Sequence, residues 1–171
     1  LNNEILGVQL SPNGVNNSAN SLFVIAFATV VGLLWIWMNA RKIEPNTVVK
    51  FGLGFLFLAG GFWVFYYTQF FADPSGKTSL SLFTFGWFII TFGELCLSPI
   101  GLSAMSRLSP QKTQAVMMGI WYLASAYGQY FAGILGANIA SASENSTNIE
   151  KLIVYADGYK QLAIYALVAG L

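Results

Sequence analysis

Glu94 is the residue of this chain best placed to do chemistry. It stands in the run FGELCLSPIG, residues 92–101, among phenylalanine, leucine and isoleucine. A carboxylate at the centre of a bilayer is costly and is tolerated where it faces a cavity, a partner or a proton. On a helix, Trp87, Thr91, Glu94, Ser98 and Gly101 fall at steps of four and three and form one stripe, so the glutamate has polar company on its own face. Pro99 cannot donate to the carbonyl of Leu95, which weakens the helix just past Glu94, and Gly93 and Gly101 flank that point. Such a group offers a counter-charge to a cation, or a proton, because a carboxyl in a low dielectric favours its neutral form until positive charge approaches. The structural alternative is a protonated side chain hydrogen-bonded across a helix bundle.

The elements that position it follow from composition. Hydrophobic residues make up 56% of the 171 and charged residues 9%, against about 25% charged in soluble domains. The charges leave long gaps between Glu4 and Arg41, Lys50 and Asp73, Lys77 and Arg107, and Lys112 and Glu144. Each gap accommodates the roughly 20 apolar residues of a membrane span. Only the third gap contains a charge, and it is Glu94. Uninterrupted apolar runs exclude an alternating β-barrel pattern. The fold class is therefore all-α, a polytopic transmembrane bundle with helices predicted at about 15–41, 47–71, 80–108, 111–140 and 158–171, the last cut short. Pro45 and Pro110 read as first-turn prolines, and 141–152 reads as the longest connector. With neither an initiator methionine nor a signal peptide at its start, the chain 1–171 is expected to be an internal fragment, a single partial transmembrane domain.

Loop charges set an expected orientation. Arg41, Lys42 and Lys50 lie in one short loop and Arg107 and Lys112 in another, two helices apart. The positive-inside rule makes the 41–50 and 107–112 loops cytoplasmic, in a multi-pass protein of the cell (inner) membrane. In the fourth helix Ala124, Gly128, Ala132, Gly136 and Ala140 recur every four residues, a ridge that lets another helix approach closely and places this helix inside a bundle.

Several functions are excluded. The chain has no histidine and one cysteine, Cys96, so no metal site or internal disulfide is expected. No serine has a nearby base and no phosphate-binding loop is present, so neither an enzyme nor a cofactor is expected. A net charge of +1 gives no reason for a nucleic-acid partner.

Residues 92–133, FGELCLSPIGLSAMSRLSPQKTQAVMMGIWYLASAYGQYFAG, resemble the helix-ten and helix-eleven hairpin of the proton-dependent oligopeptide transporters, a branch of the major facilitator superfamily. The match runs through G-E-L-x-x-S-P-x-G-L-S, a later S-P, M-M-G and W-x-L-x-S/A, and with the basic loops it extends over essentially the whole chain. The resemblance implies helices eight to twelve of the C-terminal six-helix half, with the substrate cavity lined from this side. In that family the motif glutamate, here Glu94, helps bind the amino terminus of a peptide, the motif serine, here Ser98, lines the same pocket, and the tryptophan after MMG, here Trp121, forms its aromatic wall. An asparagine early in helix eight matches Asn20, with Asn16 and Asn17 as alternatives. The family often has Asn-Pro where this chain has Asn20-Ser21. The implied function is proton-coupled symport of di- and tripeptides, with peptides, protons, the lipid bilayer and the missing N-terminal half as partners. That half carries the family's ExxER coupling motif. The alternatives are a related carrier of another solute, such as nitrate or a drug, and a non-transporting membrane subunit whose Glu94 pairs with a partner helix.

Overall fold

The computed structural model describes residues 4–5, 8–9, 11–142 and 147–171. It is a bundle of five long helices, as expected, preceded by an antiparallel pair of two-residue strands, β1 (Glu4–Ile5) and β2 (Val8–Gln9), in which Glu4 faces Gln9. The helices are α1 (Pro12–Ala40), α2 (Thr47–Tyr67, continued by the 3-10 turn Thr68–Phe71), α3 (Leu80–Leu108), α4 (Gln114–Ala142) and α5 (Asn148–Gly170). Three of them, α1, α2 with its 3-10 extension and α3, are long and apolar enough to cross a membrane.

Capping chemistry decides where the helices begin. Ser11 accepts the Gly14 N–H at 3.3 Å, and Pro12 occupies the first turn, so α1 starts ahead of the expected residue 15. Pro45 is not a first-turn proline: Asn46 is the cap, taking the Val49 N–H at 2.8 Å. Pro110 likewise precedes a turn, with Thr113 N–H bonded to its carbonyl, and α4 starts at Gln114 rather than 111. The largest correction concerns α5, which begins at Asn148 and not near 158. Thr147 and Glu150 form a reciprocal capping box there, and the Thr147 backbone N–H and hydroxyl hold the Glu150 carboxyl below the ordinary carboxylate range.

The core is a close antiparallel contact of α2 with α3. A Cβ on Gly93 would lie 2.7 Å from the Gly54 carbonyl, and one on Gly61 would lie 3.0 Å from the Gly86 carbonyl and collide with Ile90. Glycines seven apart on each helix thus meet in pairs, and the absence of side chains lets the backbones touch. Phe65 fills the space beside Gly86 and stacks on Phe83 at 4.6 Å, with Trp87 and Tyr159 around it. On its other side α2 meets α5, where a Cβ on Gly52 would stand 3.0 Å from the Gly170 carbonyl.

Two further helices attach less extensively. α1 rests on α3 through Phe23 and Phe27 against Phe88 and Phe92, with centroids 5.4 to 5.5 Å apart across the interface. α4 is held near its start, where Gln114 donates to the Ser106 carbonyl at 3.0 Å and Trp121 lies over Gly101. The small-residue ridge of α4 is not covered as expected: a Cβ on Gly128 or Gly136 would meet nothing within 4 Å. Gly128, Ala132 and Gly136 instead border a cavity of about 390 Å³ shared with Tyr155, Gly158 and Tyr159 of α5. Ala140 has its side chain outside the described residues.

Aromatic and basic residues mark both ends of the bundle. Arg41 lies 4.6 Å over the Trp37 ring, and Lys50, 8% exposed, lies 4.6 Å over Trp35 while pairing with Glu44. At the opposite end Lys160 lies 5.5 Å over Tyr66, beside Trp63 and Tyr67. Aromatic belts of this kind are the signature of the two membrane interfaces.

Candidate functional site

Glu94 is the central residue of α3, fourteen positions from each end of the helix, or about 21 Å along the axis. It is partly buried, and its partner comes from a helix 74 residues away in sequence. Asn20 of α1 donates its Nδ2–H to Glu94 Oε2 at 2.9 Å. Asn20 Oδ1 in turn accepts the Thr91 hydroxyl at 2.9 Å, and that hydroxyl also lies 2.9 Å from the Trp87 carbonyl. Thr91 is fully buried at 0% exposure.

This chain of bonds has one sense. The carboxylate can only accept, so the Asn20 amide points its N–H at Glu94 and its carbonyl at the Thr91 hydroxyl. The glutamate is therefore held by a neutral donor and not by a cation. Its second oxygen, Oε1, receives no hydrogen bond among the described residues, so one carboxylate oxygen is anchored and the other is open to a ligand. The phenylalanines between α1 and α3 pack on the same interface and set the register that brings Asn20 to Glu94. The Trp87 indole N–H, one turn from Thr91, is buried without an acceptor among the described residues.

The other expected site residues lie along the α3 stripe rather than around the carboxylate. Ser98 is exposed one turn beyond Glu94. Trp121 is not brought to Glu94. Its ring lies over Gly101, two turns further on, with Phe51 edge-on at 6.4 Å. Asn16 lines a separate cavity at the far end of the bundle, and Asn17 has its side chain outside the described residues. Sequence reasoning placed Thr91 on the stripe but did not assign it a role, and the spacing of three to Glu94 was the available signal. Lys50, expected only as a loop cation, is buried against Trp35.

These features define a class: a polytopic helical membrane protein with an anchored carboxylate at mid-depth. The POT family profile matches residues 1–153, and the chain belongs to that family, whose members are transporters and not enzymes. It is 37% identical over 124 residues to the peptide transporter YePEPT of Yersinia enterocolitica subsp. palearctica, covering 71% of this chain and 24% of that protein. It is 24% identical over 169 residues to dipeptide and tripeptide permease B of Aeromonas hydrophila subsp. hydrophila, covering 98% of this chain and 34% of that one. Its fold superposes on the crystal structure of a POT peptide transporter in complex with sulfate at a TM-score of 0.76, with 31% identity, over 98% of this chain and 31% of that one. A POT family transporter in complex with 5-aminolevulinic acid gives 0.73 at 25% identity, over 96% of this chain and 33% of that one. The chain spans between about a quarter and a third of the length of these proteins.

Proposed function

We propose that this chain forms the C-terminal-half wall of the substrate cavity in a proton-coupled symporter of di- and tripeptides. The carrying observation is Glu94 at the middle of α3, with Oε2 anchored by Asn20 and Oε1 open. An ammonium group brought to mid-membrane needs a counter-charge, and a carboxylate already held in one rotamer supplies it without reordering. Ser98 and Trp121 extend the wall along the α3 stripe. The names of the two curated relatives support a peptide as cargo. The five helices correspond in this reading to helices eight to twelve of the family, embedded in the cell membrane. The 41–50 and 107–112 loops are cytoplasmic, consistent with Arg41 and Lys50 against Trp37 and Trp35 at that end.

The test is proton-driven uptake of a labelled dipeptide by a full transporter carrying this chain, with Glu94→Gln. Loss of one charge-assisted contact at a desolvated site costs about 1.5–3 kcal/mol, so uptake falls at least tenfold. Uptake within twofold of the unsubstituted protein rejects the assignment of Glu94. Competition by unlabelled peptides but not by nitrate separates a peptide carrier from a carrier of another solute. A non-transporting subunit shows unchanged uptake with failed assembly.

A further inference from the structure

At the end of the bundle opposite the basic loops lies a cavity of about 570 Å³, within the range of roughly 300–1,000 Å³ typical of small-ligand sites. Its wall comes from four places: Asn16 of α1, Thr68 at the end of α2, Gly76, Lys77 and Thr78 of the α2–α3 loop with Phe83 of α3, and the first turns of α5. The loop is folded onto α5. Gly76 has φ +74°, a conformation that favours glycine, and a Cβ there would stand 3.1 Å from Asn148. This contact sets Lys77 beside Lys151 of α5 on one cavity wall.

Thr68 Oγ1 donates to the Phe65 carbonyl at 2.7 Å, whereas the two lysines of the cavity have no ion-pair partner among the described residues. Among the described residues the only salt bridge joins Lys50 to Glu44, and neither Lys77 nor Lys151 is in an ion pair with any of them. Glu150, the nearest carboxylate on α5, is turned to its own cap at Thr147. Thr78 lines the cavity at 5% exposure. Two ammonium groups, the Thr78 hydroxyl and the N-terminal end of a 23-residue helix together suit a small anion.

We infer that this cavity is a staging site that takes the carboxylate end of an incoming peptide before the amino end reaches Glu94. The inference rests on the proposed peptide transport. Asn16 is one helical turn from Asn20 on α1, and Phe83, Trp87, Thr91 and Glu94 follow one another at steps of four, four and three on α3, so both helices run from the cavity to the site. The cavity takes its wall from α1, α3 and α5 as well as the α2–α3 loop. The two sites act in succession. Glu94 is fourteen residues along α3 from Leu80, about 21 Å, and Lys77 precedes that helix, whereas an extended dipeptide spans only about 7 Å.

Two measurements on a full transporter carrying this chain test it. In proteoliposomes at low ionic strength, Lys77→Gln with Lys151→Gln raises KM for Ala-Ala about three- to tenfold while the maximal rate holds. KM for the C-terminal amide of Ala-Ala is unchanged. Added salt raises KM of the unsubstituted protein towards that of the variant. Thr78→Val, nearly isosteric, gives a smaller rise in the same direction. Separately, in a Glu94→Gln background, Ala-Ala slows acylation of Lys77 and Lys151 by an amine-reactive reagent and its amide does not. Equal KM and equal salt response in variant and parent, with no protection of either lysine, overturn the inference, as does protection by phosphatidylglycerol vesicles in place of the dipeptide. Protection without dipeptide uptake by the unsubstituted protein removes the transport reading and leaves the anion site standing.

Discussion

Thr91 carries more of the site than its chemistry suggests. It touches no ligand in the proposed mechanism, yet its hydroxyl at 2.9 Å meets the Asn20 carbonyl while the amide N–H of Asn20 faces Glu94. Thr91→Val keeps the volume and removes that hydroxyl, leaving Asn20 Oδ1 without its donor. Asn20 then holds Glu94 from a side chain that is itself less firmly placed. The expected result is a rise in KM for a dipeptide of about five- to tenfold, from a lost hydrogen bond of about 1 kcal/mol. Protein yield and melting temperature should change little, because the buried side chain keeps its shape. A positioning role of this kind also predicts that Thr91→Ser retains near-parent KM, which a purely packing role would not. The importance of Glu94 was legible in the sequence as a lone charge in an apolar gap, and Asn20 entered only through resemblance. Nothing in the local pattern joins residues 20 and 94, because the bond depends on α1 lying parallel to α3, a fact of tertiary packing.

At the scale of helices, glycine is the organising residue of the α2–α3 contact. Gly93→Ala places a methyl 2.7 Å from the Gly54 carbonyl, and backbone cannot move aside as a side-chain tip can. Overpacking of this kind costs about 1–3 kcal/mol, read as a lower melting temperature in detergent. Gly133→Ala on α4 is the control: a Cβ there meets nothing within 4 Å, and helix propensity favours alanine by up to about 1 kcal/mol, so no loss is expected. The sequence showed the four-residue ridge of α4, which is uncovered here, and concealed the seven-residue glycine pairs, which hold the core. A small residue every fourth position is conspicuous on one helix, whereas pairing across two helices depends on a register that neither helix specifies alone. The boundaries tell a similar story. The T-x-x-E box at 147–150 marks the start of α5, but the charges after it resemble a loop, which puts the expected start ten residues late.

Across the whole molecule, α2, α3 and α5 form a body held by backbone-to-backbone contacts, and α1 is tied to it by the Asn20–Glu94 bond and the phenylalanine cluster. The attachment of α4 is different in kind. Its contacts with α3 lie near one end, at Gln114 and at Trp121 over Gly101, while the stretch through Gly136 meets α5 across a cavity. In a full transporter carrying this chain, spin labels at Phe70 and Phe85, on α2 and α3, should keep their separation when a dipeptide binds. Labels at Leu135 of α4 and Ile153 of α5 should shift by several ångströms, and equal shifts in the two pairs would contradict the picture. Trp121 seated on Gly101 then acts as a fulcrum. Leu135 lies fourteen residues, about 21 Å, from it, so a rotation of about 10° at the tryptophan moves the outer end of α4 by about 4 Å. A small displacement near one end of α4 is thereby magnified into a movement large enough to widen or narrow a passage at the other.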